Sequence, residues 1–242
     1  MISRFVRIAL VAGLIFAVSA VVVTGQEDTG RRATIEELYL SQDIDLQVAR
    51  SQAMAESREM KNLALQTIRS MLDEGMADTA GPEITAILTV LATEGTSRKV
   101  RTGNNTVVNN FPEIRRQAVE LLWSVGGNGA EASLKNVLRD DPEPMVLAEA
   151  VYGLGQMQID NPHEVAEHFV FLLRRWNSMP APDNNLAYAT LLSVERLAQQ
   201  HTEIAANPEL INTLLGIASG NYIREVRLKS IDVISGLRNR GR

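Results

Sequence analysis

One helical phrase recurs along this chain: a large apolar residue, a small one four positions on, and a second large one four beyond that. It occurs as Met60/Ala64/Ile68, Ile114/Ala118/Leu122, Val146/Ala150/Leu154 and Val226/Ser230/Ile234, with a weaker copy at Leu186/Thr190/Val194. From Ile114 the leading anchors follow one another at intervals of 32, 40 and 40 residues. Steps of this size are the period of stacked helical hairpins, in which each unit covers its apolar flank with the next. The small middle residue lets a neighbouring helix approach closely. The pattern predicts an all-α chain, an α-solenoid of about five helical hairpins.

Composition agrees with thin helical layers. Hydrophobic residues make up 45% of the 242, but only 5% are aromatic, so Ala, Leu, Val, Ile and Met must fill the interior. There is no cysteine, which removes disulfides, thiolate metal sites, a cysteine nucleophile and lipid attachment through an N-terminal cysteine.

The N-terminus has the form of an export signal. Arg4 and Arg7 precede an uncharged run from Ile8 to Val23, and a polar GQEDTG stretch follows. Cleavage fits after Ala20 or after Gly25, and the run approaches the ~18 apolar residues of a spanning helix, so an uncleaved membrane anchor is the alternative. Residues 1–25 are therefore a signal peptide or anchor, 26–33 a polar leader, and 34–242 the helical array. Both readings place the array outside the cytoplasm, in the periplasm or anchored facing it. Removing residues 1–25 takes away two arginines and no acid, moving the formal charge from -5 to -7. A product that acidic disfavours nucleic acid as a partner, and it disfavours membrane unless the N-terminal helix is retained.

Local signals divide the array. Thr34 and Glu37 form a capping box for a first helical stretch to about Ala55, with a possible break near Asp43 to Asp45. A second helix runs from Ser57 to a stop at Gly75. Pro82 and Gly95 bracket a third, and Pro112, Pro162 and Pro208 open later ones. Residues 96–111, TSRKVRTGNNTVVNNF, are too long and polar for an ordinary helix connection of roughly 2–8 residues, and Val100 to Val108 fit a small hairpin around Gly103-Asn104-Asn105.

The segment 138–155, LRDDPEPMVLAEAVYGLG, resembles the HEAT-repeat signature. Asp141 and Pro142 match its turn, and Val146, Ala150 and Leu154 match its inner helix. PEIRRQAVELLWSVG places Arg115 at the arginine position, and EVRLKSIDVI supplies Val226 and Arg227. The resemblance spans roughly residues 57–240 and identifies the chain as similar to an exported bacterial HEAT-like protein. It departs where Leu147 replaces the arginine and where Asn109 and Asn221 replace the turn aspartate. An Asp141 to Arg115 hydrogen bond is expected, within an incomplete ladder.

No catalytic constellation emerges. His163 and His168 in HEVAEH are five apart, about 140° around a helix, whereas a metal pair on one face needs i and i+4. The expectation is a non-enzymatic protein with no cofactor and no metal site, an enzyme with a dispersed acidic or metal site being a lesser alternative. The HEAT resemblance implies that the second helices of each hairpin line a concave, partner-binding side, presenting Arg116, Glu120, Glu149, Tyr188, Glu195 and Lys229. Trp123 and Tyr152 are expected to pack instead. The 96–111 loop, with Arg98, Lys99, Arg101, Asn104 and Asn105, is a second contact candidate. Together these features predict a protein–protein scaffold of the cell envelope, or an anchored accessory subunit of an envelope machine.

Overall fold

The computed structural model describes the backbone of residues 35–240, with side chains from residue 43 onward. The residues expected to form a signal or anchor and the polar leader lie outside the described residues, as do Thr34 and the Glu37 side chain of the expected capping box. Among the described residues the fold is all-α, with ten α-helices: α1 (Ile35–Met54), α2 (Arg58–Asp73), α3 (Ala77–Ala92), α4 (Pro112–Val125), α5 (Gly127–Asp140), α6 (Pro144–Gln156), α7 (Pro162–Asn177), α8 (Asn184–Gln200), α9 (Pro208–Ser219) and α10 (Arg224–Arg240). A short 3-10 turn, Thr202–Ala206, was not foreseen.

Side chains set the helix starts. Ser57, Asn161, Asp183 and Asn207 accept the first free amides of α2, α7, α8 and α9. Prolines occupy the first turn of α4, α6, α7 and α9, where no N–H is missed. Two boundaries differ from expectation. α1 is continuous through Asp43 to Asp45, and Pro82 lies inside α3 rather than at its start. The turn ahead of Pro82 holds because the Met76 carbonyl accepts the amides of both Thr79 and Ala80.

Packing follows chain order with a stride of two. α2, α4, α6, α8 and α10 each pack against the next of that series, and α1, α3, α5, α7 and α9 do the same. Sequential partners such as α1 and α2, α3 and α4, and α9 and α10 join the series in pairs. One continuous core runs from Ala49 to Leu237. Of the fifteen anchors of the repeated phrase, all but Met60 are buried. Met60 is exposed because Lys61 takes the inward position, its ammonium meeting the Ala53 carbonyl at 2.9 Å and Glu94 at 3.4 Å.

Glycine sets the tightest approaches. α6 presents Gly153 to the Trp123 ring of α4 and Gly155 to Ser193 of α8, both too close for a Cβ to fit. The expected Asp141 to Arg115 bond is made, in full burial, between the α5–α6 turn and α4.

Candidate partner-binding face

The even-numbered helices bring several of the expected contact residues together in a relay of polar contacts. Arg69 of α2 meets Glu120 of α4 at 3.3 Å, and Glu120 meets Arg116 at 3.3 Å. Arg116 then reaches Glu149 of α6, also at 3.3 Å. Glu149 uses its other oxygen to accept the Trp123 indole N–H at 3.1 Å. Further along, Lys229 of α10 meets Glu195 of α8 at 2.6 Å. These pairs are only partly buried, so each contributes about 1 kcal/mol or less. Their chief effect is to neutralise one another, which leaves this stretch with few free charges.

Beyond the relay lies a groove of about 380 Å³ between α6, α8 and α10. Tyr152 and Tyr188 line it together with Met145 and Ile223, all four exposed. Tyr152 stands edge-on to Trp123, ring centres 6.0 Å apart, so it packs and faces the groove at once, whereas only packing was expected of it. The groove has two carboxylates, Glu149 and Glu225, the Asn184 and Asn185 amides, and no basic side chain. Met145, Asn185 and the pair Ile223 and Glu225 were missed in the sequence, where they stand at three helix starts 40 and 38 residues apart.

The 96–111 segment forms the expected hairpin. Arg101 bridges to Val107, the Val108 amide donates to the Val100 carbonyl, and Asn105 takes a left-handed φ of 63° at the tip. Arg98, Lys99, Arg101, Asn104 and Asn105 are all exposed. Arg101 folds back to the Asn105 carbonyl at 2.9 Å. Asn109, expected only as a stand-in for a turn aspartate, is the buried staple of this loop. Its amide N–H donates to Glu94 at 2.8 Å and to the Arg98 carbonyl at 2.7 Å, while its oxygen accepts the Val100 amide at 2.8 Å. Of these loop residues, Arg98 and Asn109 line a depression separate from the groove.

The HEVAEH segment is used for helix-to-helix packing. Lys135 of α5 meets Glu164 of α7 at 2.9 Å and Glu131 at 3.1 Å. Burial alone would lower the Lys135 pKa, but the hydrogen bonds to Glu164 and Glu131 outweigh it and hold the value up. The same bond lowers Glu164, and burial lowers His168, which sits 4.0 Å from Glu164. Among the described residues no three His, Cys, Asp or Glu side chains are grouped to hold a metal ion. Compared with protein-family models, curated proteins and solved structures, the chain matches none.

Proposed function

We propose that this chain is an exported, HEAT-like α-solenoid of the bacterial cell envelope that acts without catalysis, holding a partner protein along its even-numbered helices. The observation that carries the reading is the groove between α6, α8 and α10. Isolated exposed apolar residues need no explanation, but Met145 and Tyr152 of α6, Tyr188 of α8 and Ile223 at the entry to α10 converge on one depression. Tyrosine in particular offers a large contact area together with a polar tip. The adjoining relay of neutralised charges extends the same series of helices toward α2, and the stride-two packing supports a stack that repeats such a face.

Affinity capture from envelope extracts tests this directly. The full chain should recover a partner that Tyr188→Asp and Ile223→Asp variants of equal stability do not. Recovery of the same partners by wild type and both variants would discard the groove as the contact. Export belongs to the same reading, and N-terminal sequencing of the exported protein should give a mature start near Val21 or Gln26. A start at residue 1 would favour the anchored subunit instead.

A further inference from the structure

A second cavity, of about 250 Å³, lies between the α1–α2 turn and the 96–111 hairpin, and it shares no residue with the groove. Lys61, Glu94 and Asn109 are each at least 94% buried, yet all three line it. Burying an ion pair has a desolvation cost that the pair's own attraction often fails to recover, so its placement at a cavity wall asks for a use.

The structural bonds do not exhaust these groups. Lys61 donates to the Ala53 carbonyl and approaches Glu94, leaving a third N–H. Glu94 receives both Lys61 and Asn109 on Oε1, while among the described residues Oε2 takes no hydrogen bond. Oε2 is also not a sealed, unpartnered atom. At the rim stand Arg98 and Glu56, neither with an ion-pair partner among the described residues, and the Arg98 guanidinium spans to the Met54 sulfur at 3.8 Å. The side walls are Met54, Val100 and Val108, all exposed.

Two cations and two carboxylates surround one space, with an apolar flank beside them. Such a balance suits a ligand that carries both charges and no net charge. An anion alone would leave Glu56 unmatched, and a cation alone would leave Arg98 unmatched, since Lys61 and Glu94 already pair with each other. The volume falls below the roughly 300–1,000 Å³ of ordinary small-molecule pockets, which favours a ligand of very few atoms. We propose that this cavity binds a small aliphatic α-amino acid. Arg98 takes the carboxylate, Glu56 and the free Glu94 oxygen take the ammonium, and Met54, Val100 and Val108 cover the side chain. Guanidinium and carboxylate form the strong, forked hydrogen bonds this requires.

Titration calorimetry of the full chain with L-leucine tests the assignment, alongside 3-methylbutanoate, 3-methylbutylamine and N-acetyl-leucine. Leucine should bind at micromolar to millimolar concentration, and each analogue lacking one charge should bind about tenfold more weakly or worse. Arg98→Ala changes an exposed side chain and should leave the thermal midpoint in place while weakening leucine by about tenfold or more. Glu56→Gln, also exposed, should weaken leucine while binding 3-methylbutanoate at least as well as the wild type does. No heat with leucine at millimolar concentration overturns the proposal, as does wild-type affinity in Arg98→Ala. N-acetyl-leucine binding as tightly as leucine also overturns it, pointing to a peptide C-terminus as the ligand.

Discussion

Arg115 and Asp141 form a doubly hydrogen-bonded ion pair with no access to solvent, Nε to Oδ2 at 2.6 Å and Nη2 to Oδ1 at 3.3 Å. The arginine also donates to the Glu94 carbonyl and to Asn110, while Asp141 accepts the Glu143 amide at the start of α6. One residue pair thereby ties α4, the entry to α6 and the base of the 96–111 loop. Removing one partner of a buried pair strands the other charge, so Asp141→Asn should lose about 3 kcal/mol or more in urea unfolding. An unchanged midpoint would show that the pair adds nothing to the stack.

Two helical glycines, Gly153 of α6 and Gly236 of α10, should respond to alanine with opposite signs. A Cβ on Gly153 would stand 2.6 Å from the Trp123 ring, so Gly153→Ala should destabilise by about 1–3 kcal/mol as α4 and α6 are forced apart. At Gly236 of α10 the nearest atom is the flexible tip of Arg240 at 3.3 Å. There Gly236→Ala should stabilise by about 0.5–1 kcal/mol through helix propensity alone. Thermal melts of both variants give the comparison, and destabilisation by the two alike would contradict it.

The 96–111 hairpin depends on Asn109 more than on its turn. Gly95 has a left-handed φ of 75° and lies under the Asn109 carbonyl, where any Cβ would collide, so chain crossing and side-chain staple coincide. Asn109→Ala should leave the Val100 amide without its acceptor and Glu94 with Lys61 alone, and cost about 1–3 kcal/mol. Hydrogen exchange should show Val100 and Val108 amides losing protection while α6 and α8 keep theirs. Unchanged protection in the loop would remove Asn109 from this role.

The sequence made much of this fold legible because the repeated phrase records burial itself. Ala118, Ala150, Ser230 and Thr190 lie at fully buried middle positions, as their small size required. The exceptions have tertiary causes. Met60 and Lys61 exchange roles because a carbonyl and a carboxylate, distant in sequence, accept the ammonium. Pro82 signals a missing N–H and does not fix where α3 begins. Of the candidate contact residues, Arg116 and Glu120 share a face because the i, i+4 period of α4 places them there, and the packing of α6 on α4 brings Glu149 to them. The groove was not legible, since Tyr188, Met145 and Ile223 meet only through the stride-two packing of three helices.

Tyr222 reports on the joint between α7, α9 and α10. Its hydroxyl donates to Asn177 at 2.6 Å, and burial, with the Asp183 charge, pushes its pKa up to about 12 from 10. The folded state therefore keeps a proton that the unfolded chain releases at its ordinary value. The resulting stability is complete below pH ~10 and lost as pH rises toward ~12. Absorbance titration of the phenols should show one late step that Tyr222→Phe abolishes, and the variant should flatten the fall in stability over that window. A late step that survives the substitution would assign it to another tyrosine.

Successive even helices stand side by side, and a solenoid requires that the series not close on itself. The absence of cysteine makes this measurable by pairwise introduction of Cys and a short bis-maleimide cross-linker. Arg116→Cys with Glu149→Cys, and Glu195→Cys with Lys229→Cys, should cross-link rapidly within one chain, because these side chains meet across α4–α6 and α8–α10. Arg69→Cys with Lys229→Cys, on α2 and α10 at the two ends of the series, should not. Rapid cross-linking of that last pair would mean a closed bundle, and failure of the first two would mean that these helices are not neighbours; either result contradicts the stacked arrangement.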